Sequence, residues 1–479
     1  MGAGGGTCSD AEVEETDVVL LWGSNARAAH PTLFHHLLTG LRNGAEPFCV
    51  GPRRTDSARF ADLWLGLDVG SDVALVNTVA RRDHRRRPPP PRFIERATDG
   101  FDAFAAHIEP YSLARGEEQA GVPAEAIREV AHADAPAERA QICWTLGITE
   151  HHNGVDNVLA LIDLALLTGH VGRWGSRLVP LWGQNNVQRG GDMGALPNEL
   201  PGFADVVDAE ARARFEATWG AAIPAGRGED AELTDVVPPP PSHGRERRHL
   251  SNSERRVQRV RPTTTPTPGT RDDLAILHDL AGRLGSGRGE ADAEQTRDEL
   301  RSLSPAYRGM RHERLESLGG LQRPCPDEDH PGTPFLHQRL WAEPREGRAA
   351  TFSVVDAATP HDAVDDEFPM RLTTGRVLDG SNSGVQSGAS TRPSGRARRS
   401  TSAPRTPPPS GSPTAHERRS AHGGARSRRS RCGSNPWEPD PRRRPVTIGT
   451  FQTARRRPLL GSTHPPPRRT PRCSPQRHR

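Results

Sequence analysis

Three short loops carry residues that could recognise a phosphorylated ligand: Gly23-Ser24-Asn25, Gly51-Pro52-Arg53-Arg54 and Gly70-Ser71-Asp72. Small residues let the backbone approach a ligand, Asn25 can both accept and donate, and Arg53 or Arg54 can hold a phosphate through two N–H groups. Asp72 could accept from a purine or a ribose. Together these features describe a nucleotide site, whereas a plain turn between strand and helix explains any one of them alone. The chain has no GxGxxG, so an ordinary nicotinamide-dinucleotide fingerprint is absent. A second polar cluster runs from Gly183-Gln184-Asn185-Asn186-Val187-Gln188 to Asp192-Met193-Gly194. Four amides in five positions suit a loop that hydrogen-bonds something polar, and a ligand loop and a solvated loop are equally open readings. The pairs His35-His36 and His151-His152 point apart on any regular element and are expected to be solvated. Six cysteines, with no CxxC, give neither a disulfide framework nor a cysteine-ligated iron–sulfur or zinc site.

The elements that would position these loops read as an α/β domain with a parallel sheet. Residues 17–22 form an apolar run suited to a strand buried on both faces. A helix with Leu33, Phe34, Leu37, Leu38 and Leu41 at three-and-four spacing follows Pro31 and stops at Gly44. A second strand, 47–50, completes a right-handed βαβ unit. A third strand at 63–67 leads into a helix over about 72–81, and helical patterns follow at 101–108 and 123–132. A strand at 141–144 precedes a helix with Asn153 at its N-cap and Asp156 three residues on, close to a capping box. Its expected apolar stripe is Val155, Val158, Leu159, Ile162, Ala165 and Leu166, ending at Gly169. In an open parallel sheet ligands bind beyond the carboxyl ends of the strands, where the three small-residue loops fall.

Three Arg/Pro-rich stretches break this order: 81–92, 237–250 and the tail, and none is expected to form a strand or a stable helix. The 89 residues of 391–479 contain 22 Arg, 16 Pro and 3 acidic residues, too little apolar material to offset chain entropy. The net charge is −15 over 1–390 and +19 over the tail, and all 64 basic residues are Arg. The shared composition of the three stretches leads us to expect a shifted reading frame, which three-frame translation of the coding DNA would reveal. An Arg-rich arm could bind nucleic acid, but the tail has almost no aromatic residues for stacking, so no nucleic-acid partner is expected. No apolar run approaches a membrane span and no secretory signal is visible, which gives the expectation of a soluble, cytoplasmic chain without membrane contact.

The same residues carry a resemblance. VVLLWGSNARAAHP (18–31), PRRTDSARFADL (52–63), GSDVALVN (70–77), FIERATDGFDAF (93–104) and NVLALIDLALLTGHVGR (157–173) resemble the large subunit of formate dehydrogenases in the molybdopterin (bis-guanine-dinucleotide) oxidoreductase family. So do GQNNVQ (183–188), DMGALPN (192–198), SNSERRVQRVRP (251–262), PCPDEDHPGTPFLH (324–337) and LTTGRVL (372–378). The resemblance spans roughly 15–390 with gaps. It implies a molybdenum or tungsten ion held by two pterin dinucleotides, formate as substrate, carbon dioxide as product, and an electron-transfer partner subunit. Carried over by motif, Gly23, Ser24, Asn25, His30, Arg53, Gly70 and Asp72 would line one guanine dinucleotide. Leu146, Gly147, Gln184 and the Thr373-Thr374-Gly375-Arg376 loop would contact the pterins.

The implied domains are a flexible 1–14, an α/β molybdopterin-dinucleotide domain at 15–200, and an incomplete second α/β and helical region at 201–363. The start of a C-terminal β-barrel at 364–390 and a disordered tail at 391–479 complete them. The departures are as specific as the matches. Trp182 stands where the family carries its active-site Arg, Gly51 where it has Asp, Glu150 where it has Gln, His170 where it has Asn, and Arg189-Gly190-Gly191 where it has Gly-Ala-Cys. The family's cluster cysteines and metal-ligating Cys or selenocysteine precede the matched region. The resemblance therefore leads to the expectation of a truncated, frame-disrupted formate dehydrogenase subunit with neither cluster nor metal ligand, inactive alone. A non-catalytic module that binds a pterin or nucleotide, or docks a subunit, is the alternative.

Overall fold

The strand Val18–Trp22 (β1) is buried along its whole length and sends alternate residues into two cores. Val18, Leu20 and Trp22 face one cluster and Val19 and Leu21 the other, as expected of a strand covered on both sides. A computed structural model describes residues 5–86, 89–183, 185–226, 248–285, 292–344, 347–360, 365–366, 371–374, 401–402 and 446–449. Around β1 run Glu46–Val50 (β2), Leu63–Leu65 (β3), Ala140–Trp144 (β4) and Arg177–Pro180 (β5). All pair in parallel, in the order β3-β2-β1-β4-β5. The helix Pro31–Asn43 (α1) covers one face. Asp72–Arg86 (α2), Ala124–Asp134 (α3) and Gly154–Thr168 (α4) cover the other.

Several expectations need correction. The helix from Asp72 runs on to Arg86, through the stretch set aside as neither helix nor strand, because no proline occurs before position 88 and Asp83 turns inward. Pro91 then occupies the first turn of Pro91–Ala97. Asn153 sits at the N-cap of α4 without capping it, because its Nδ2 donates to Asn157 Oδ1 at 3.3 Å. Of the expected stripe of α4, Ala165 and Leu166 are buried and Val158, Leu159 and Ile162 are partly buried against the core, while Val155 is 74% exposed; Ala160, Leu161, Leu164 and Leu167, outside that stripe, are buried as well. Strand β5 was not expected, since Arg177 and Pro180 bracket only two apolar residues. The start of the chain, expected to be flexible, is packed from Thr7 on: Thr7 N–H donates to Leu178 O at 3.2 Å, and Glu12 is fully buried against Arg177 at 2.9 Å.

Beyond 200 the three-stranded sheet is antiparallel, while the short strand Ala350–Thr351 pairs in parallel with Thr98–Asp99. Arg248–Ser251 (β6), Arg256–Val260 (β7) and Leu321–Gln322 (β8) form a three-stranded sheet in the order β8-β7-β6. The four residues between β6 and β7 are too few for a crossover. The described residues up to Arg371 group as one compact unit, with no division at 200. The second unit comprises 372–412 and 446–479. Its sheet includes Thr401–Ser402 and Val446–Gly449, paired antiparallel, so strands do occur within the tail, at its β-branched run Val446-Thr447-Ile448. The expected barrel residues 375–390 lie outside the described residues, as does 237–247 of the second Arg/Pro stretch. No helix among the described residues is long and apolar enough to cross a membrane.

Candidate functional site

The strand order reverses between β1 and β4, and in such sheets the crevice at that switch is where ligands bind. The loops after β1, β2, β4 and β5 all lie at this carboxyl edge. Gly23, at φ +58°, turns the chain out of β1; its N–H donates to Val50 O at 2.8 Å, and its carbonyl accepts from Thr145 Oγ1 at 2.7 Å. Across the switch Gly147 lies so close that a Cβ built on it would stand 2.4 Å from Gly23 O. Glycine is needed on both sides of this approach.

Asn25 ties the first two loops together. Its Oδ1 accepts from Ser57 Oγ at 3.0 Å, and Arg27 N–H donates to the same hydroxyl at 3.0 Å. Between these bonds the Ser24 hydroxyl is buried and, among the described residues, has no hydrogen-bond partner. Arg53 is half-buried and forms no ion pair among the described residues, and a Cβ on the neighbouring Gly51 would meet nothing within 4 Å. An unpaired guanidinium, an unmet hydroxyl and open space at strand ends fit an anionic phosphorylated ligand. His30 Nε2 donates to Trp182 O at 2.7 Å, so this ring bridges the loops after β1 and β5. Leu146, Gly147 and Trp182 are exposed beside it.

Two expected site residues face elsewhere. Asp72 is buried and accepts the Trp22 Nε1–H at 2.9 Å; burial pushes its carboxyl above the usual range, against the opposing pull of that indole bond and of His151. Gly70, at φ +85°, is covered by Pro360, whose Cγ would lie 2.7 Å from a Cβ there. Gln184, Gly375 and Arg376 lie outside the described residues, and Thr373 and Thr374 belong to the strand Arg371–Thr374 in the second unit.

The amide-rich cluster is largely consumed by the protein itself. Asn186 pairs with Ser251 through both backbone and side chain, at 3.1 and 3.2 Å. In the following helix Val187–Asp192 (α5), Gln188 Nε2 donates to Asp192 Oδ1 at 3.0 Å. Asp192 is fully buried, grips Arg323 through two contacts of 2.8 and 3.0 Å, and accepts a hydrogen bond from the Tyr307 hydroxyl. Sequence reading missed Arg323 and Tyr307 as its partners. Both lie more than a hundred residues away, and no local pattern marks them.

Comparison with known proteins agrees with this geometry. The profile of the family described as molybdopterin oxidoreductase matches residues 3–234. The chain is 34% identical over 440 residues to the F420-dependent formate dehydrogenase 2 subunit alpha of Methanococcus maripaludis, covering 80% of this chain and 64% of that one. It is 30% identical over 433 residues to formate dehydrogenase H of Escherichia coli, covering 78% and 60%. The chain thus spans somewhat under two thirds of the length of these relatives. Among solved structures, acetylene hydratase from Pelobacter acetylenicus superposes with a TM-score of 0.54 at 18% identity, over 79% of this chain and 63% of that one, a likeness of fold. With a parallel sheet at its core, this chain is similar over residues 3–234 to the molybdopterin oxidoreductase family and over most of its length to formate dehydrogenase α subunits.

Proposed function

We propose that the switch-point crevice holds a molybdopterin guanine dinucleotide, as in a subunit for the oxidation of formate to carbon dioxide, and that this chain alone does not turn formate over. The identity with a formate dehydrogenase α subunit over 440 residues carries this reading. In it Arg53 binds a phosphate, Ser24 and Asn25 offer side-chain hydrogen bonds, and Gly23 and Gly147 let the backbone come close. His30 would close the first loop over the dinucleotide. Gly70 and Asp72 would support the purine end from behind, since Pro360 and Trp22 already cover them. Leu146, Gly147, Gln184 and the loop Thr373 to Arg376 would meet the pterins. The molybdenum or tungsten ion, when bound, would supply the two-electron chemistry. A partner subunit that accepts those electrons and a cytoplasmic location belong to the same reading.

Trp182 qualifies it. An indole brings no charge to an anionic substrate at the position where the family places an arginine, and this favours a second reading in which the chain binds the dinucleotide without turning formate over. Calorimetric titration of the full chain with GMP and GDP tests the binding part: saturable heat, lost in Arg53→Ala, is expected, and no heat would overturn it. Formate-dependent dye reduction by metal-loaded chain then separates the readings. We expect none in the unaltered chain and a gain in Trp182→Arg. Binding without turnover in either would leave the non-catalytic module standing.

A further inference from the structure

An extended segment runs across α2, α4 and the helix Phe101–Ile108 and ends on the loop after β3. It begins as the strand Ala350–Thr351, paired in parallel with Thr98–Asp99, and the Phe352 N–H continues that pairing to Asp99 O at 2.9 Å. The Phe352 ring is buried, stacked on Phe104 at 4.8 Å and set edge-on to Phe101 at 5.6 Å. Backbone pairing and aromatic burial together fix this end.

From Ser353 on, the backbone partners are side chains among the described residues. Ser353 N–H donates to Asp163 Oδ1 of α4 at 3.0 Å, and Ala357 N–H to the Tyr111 hydroxyl at 3.4 Å. Between them Val355 O accepts from Asn77 Nδ2 of α2 at 3.0 Å and from His107 Nε2 at 2.8 Å. Val354 is 55% exposed. An extended stretch held by a few side-chain bonds, with solvent along it, opens at a lower free energy than a sheet or a packed helix. At its far end Pro360 lies against Gly70, its Cγ 2.7 Å from where a Cβ would stand. Gly70, at φ +85°, has no side chain to fix it and the widest backbone freedom of any residue, whereas the proline ring is stiff. The next residues are held from inside, since Ser71 N–H donates to Asp68 O at 3.2 Å and Asp72 accepts from Trp22.

We propose that residues 352–360 form a hinged strap: Phe352 is the fixed end, 353–357 the releasable arm, and Pro360 the pad that holds the Gly70–Asp72 loop in place. Lifting the arm uncovers Gly70 without unfolding the sheet, so the seating of the strap sets how firmly the loop is held. If the crevice takes a purine nucleotide, as proposed above, a seated strap favours binding and bound nucleotide favours seating, because such coupling is reciprocal. That consequence rests on the nucleotide reading, whereas the strap itself does not.

Amide hydrogen exchange on the full chain tests the strap. Ser353 and Ala357 N–H should exchange at least about tenfold faster than Phe352 N–H, as a local opening requires, and equal rates would mean that the arm opens only with its anchor and would overturn the proposal. His107→Ala removes a donor to Val355 from a separate helix, and Pro360→Gly removes the pad. Each should speed exchange at Ser71 by about fivefold or more while Gly23 N–H, bonded to Val50 O, keeps its unaltered rate. If His107→Ala does not fold, Pro360→Gly decides alone. A Ser71 rate unchanged in Pro360→Gly, or a Gly23 rate that rises with it as in general loosening, would also overturn the strap. Titration with GMP then reads the coupling: binding about fivefold weaker in both variants is expected, and equal affinity would overturn the coupling. No heat in the unaltered chain would overturn the nucleotide reading and the coupling with it, while the exchange rates still decide the strap.

Discussion

Asp192 accepts from Gln188, Tyr307 and Arg323 with no exposure to water, and Arg323 is its cationic partner among the described residues. Removing one partner of a buried ion pair leaves an uncompensated charge, at a typical cost of about 3 to 5 kcal/mol. Arg323→Met should therefore lower the unfolding free energy read from urea denaturation by an amount in that range, and a change under about 1 kcal/mol would mean that the neutral donors suffice. At this scale the sequence was legible where a single local rule applied. Arg53 and Ser24 follow from their place after strands, and among the described residues the Ser24 hydroxyl has no hydrogen-bond partner and Arg53 no ion pair. Asp72 was illegible because its partner, Trp22, comes from another strand, and Asn186 and Gln188 because their polarity says that they bond but not with what.

Among the elements, α4 separates pattern from packing. Its sequence is apolar nearly all round, so periodicity alone could not fix which stripe meets the sheet; the covering helix α2 decides, burying Leu164 fully and leaving Val155 in solvent. Leu164→Ala should destabilise by about 3 kcal/mol and Val155→Ala by less than about 0.5, as read by denaturant unfolding. Equal losses would restore the stripe expected from the sequence. Strands β1, β2 and β4 were readable because continuous apolar runs have few alternatives. The extension of α2 through Arg86 was not, since arginine-rich composition marks polarity while the inward Asp83 is a tertiary contact. The antiparallel sheet β6-β7-β8 escaped notice because β6 and β7 carry as many arginines as apolar residues.

Across the whole molecule, buried acids outweigh paired ones in setting pH dependence. Burial raises Asp163 and Asp134 to about 7 and Asp10 to about 6, from ordinary values near 3.8. Each holds its proton more tightly when folded, so its stabilising share is complete below the unfolded value and disappears as pH climbs through 6 and 7. The urea midpoint should accordingly be higher at about pH 5.5 than at about pH 8, and the reverse order would refute this account. Overall architecture was legible as α/β with a parallel sheet, yet the unity of 1–371 was not, because it rests on contacts between distant stretches. The clearest of these is Arg255, held without exposure at φ +64°, whose guanidinium donates to the carbonyls of Gly6, Arg323, Thr333 and Pro334. During synthesis Gly6 leaves the ribosome first and Pro334 more than three hundred residues later, so the opening segment emerges early and settles late. A nascent chain arrested before Thr333 would hold Arg255 short of two of its four carbonyl partners, with its buried charge incompletely met.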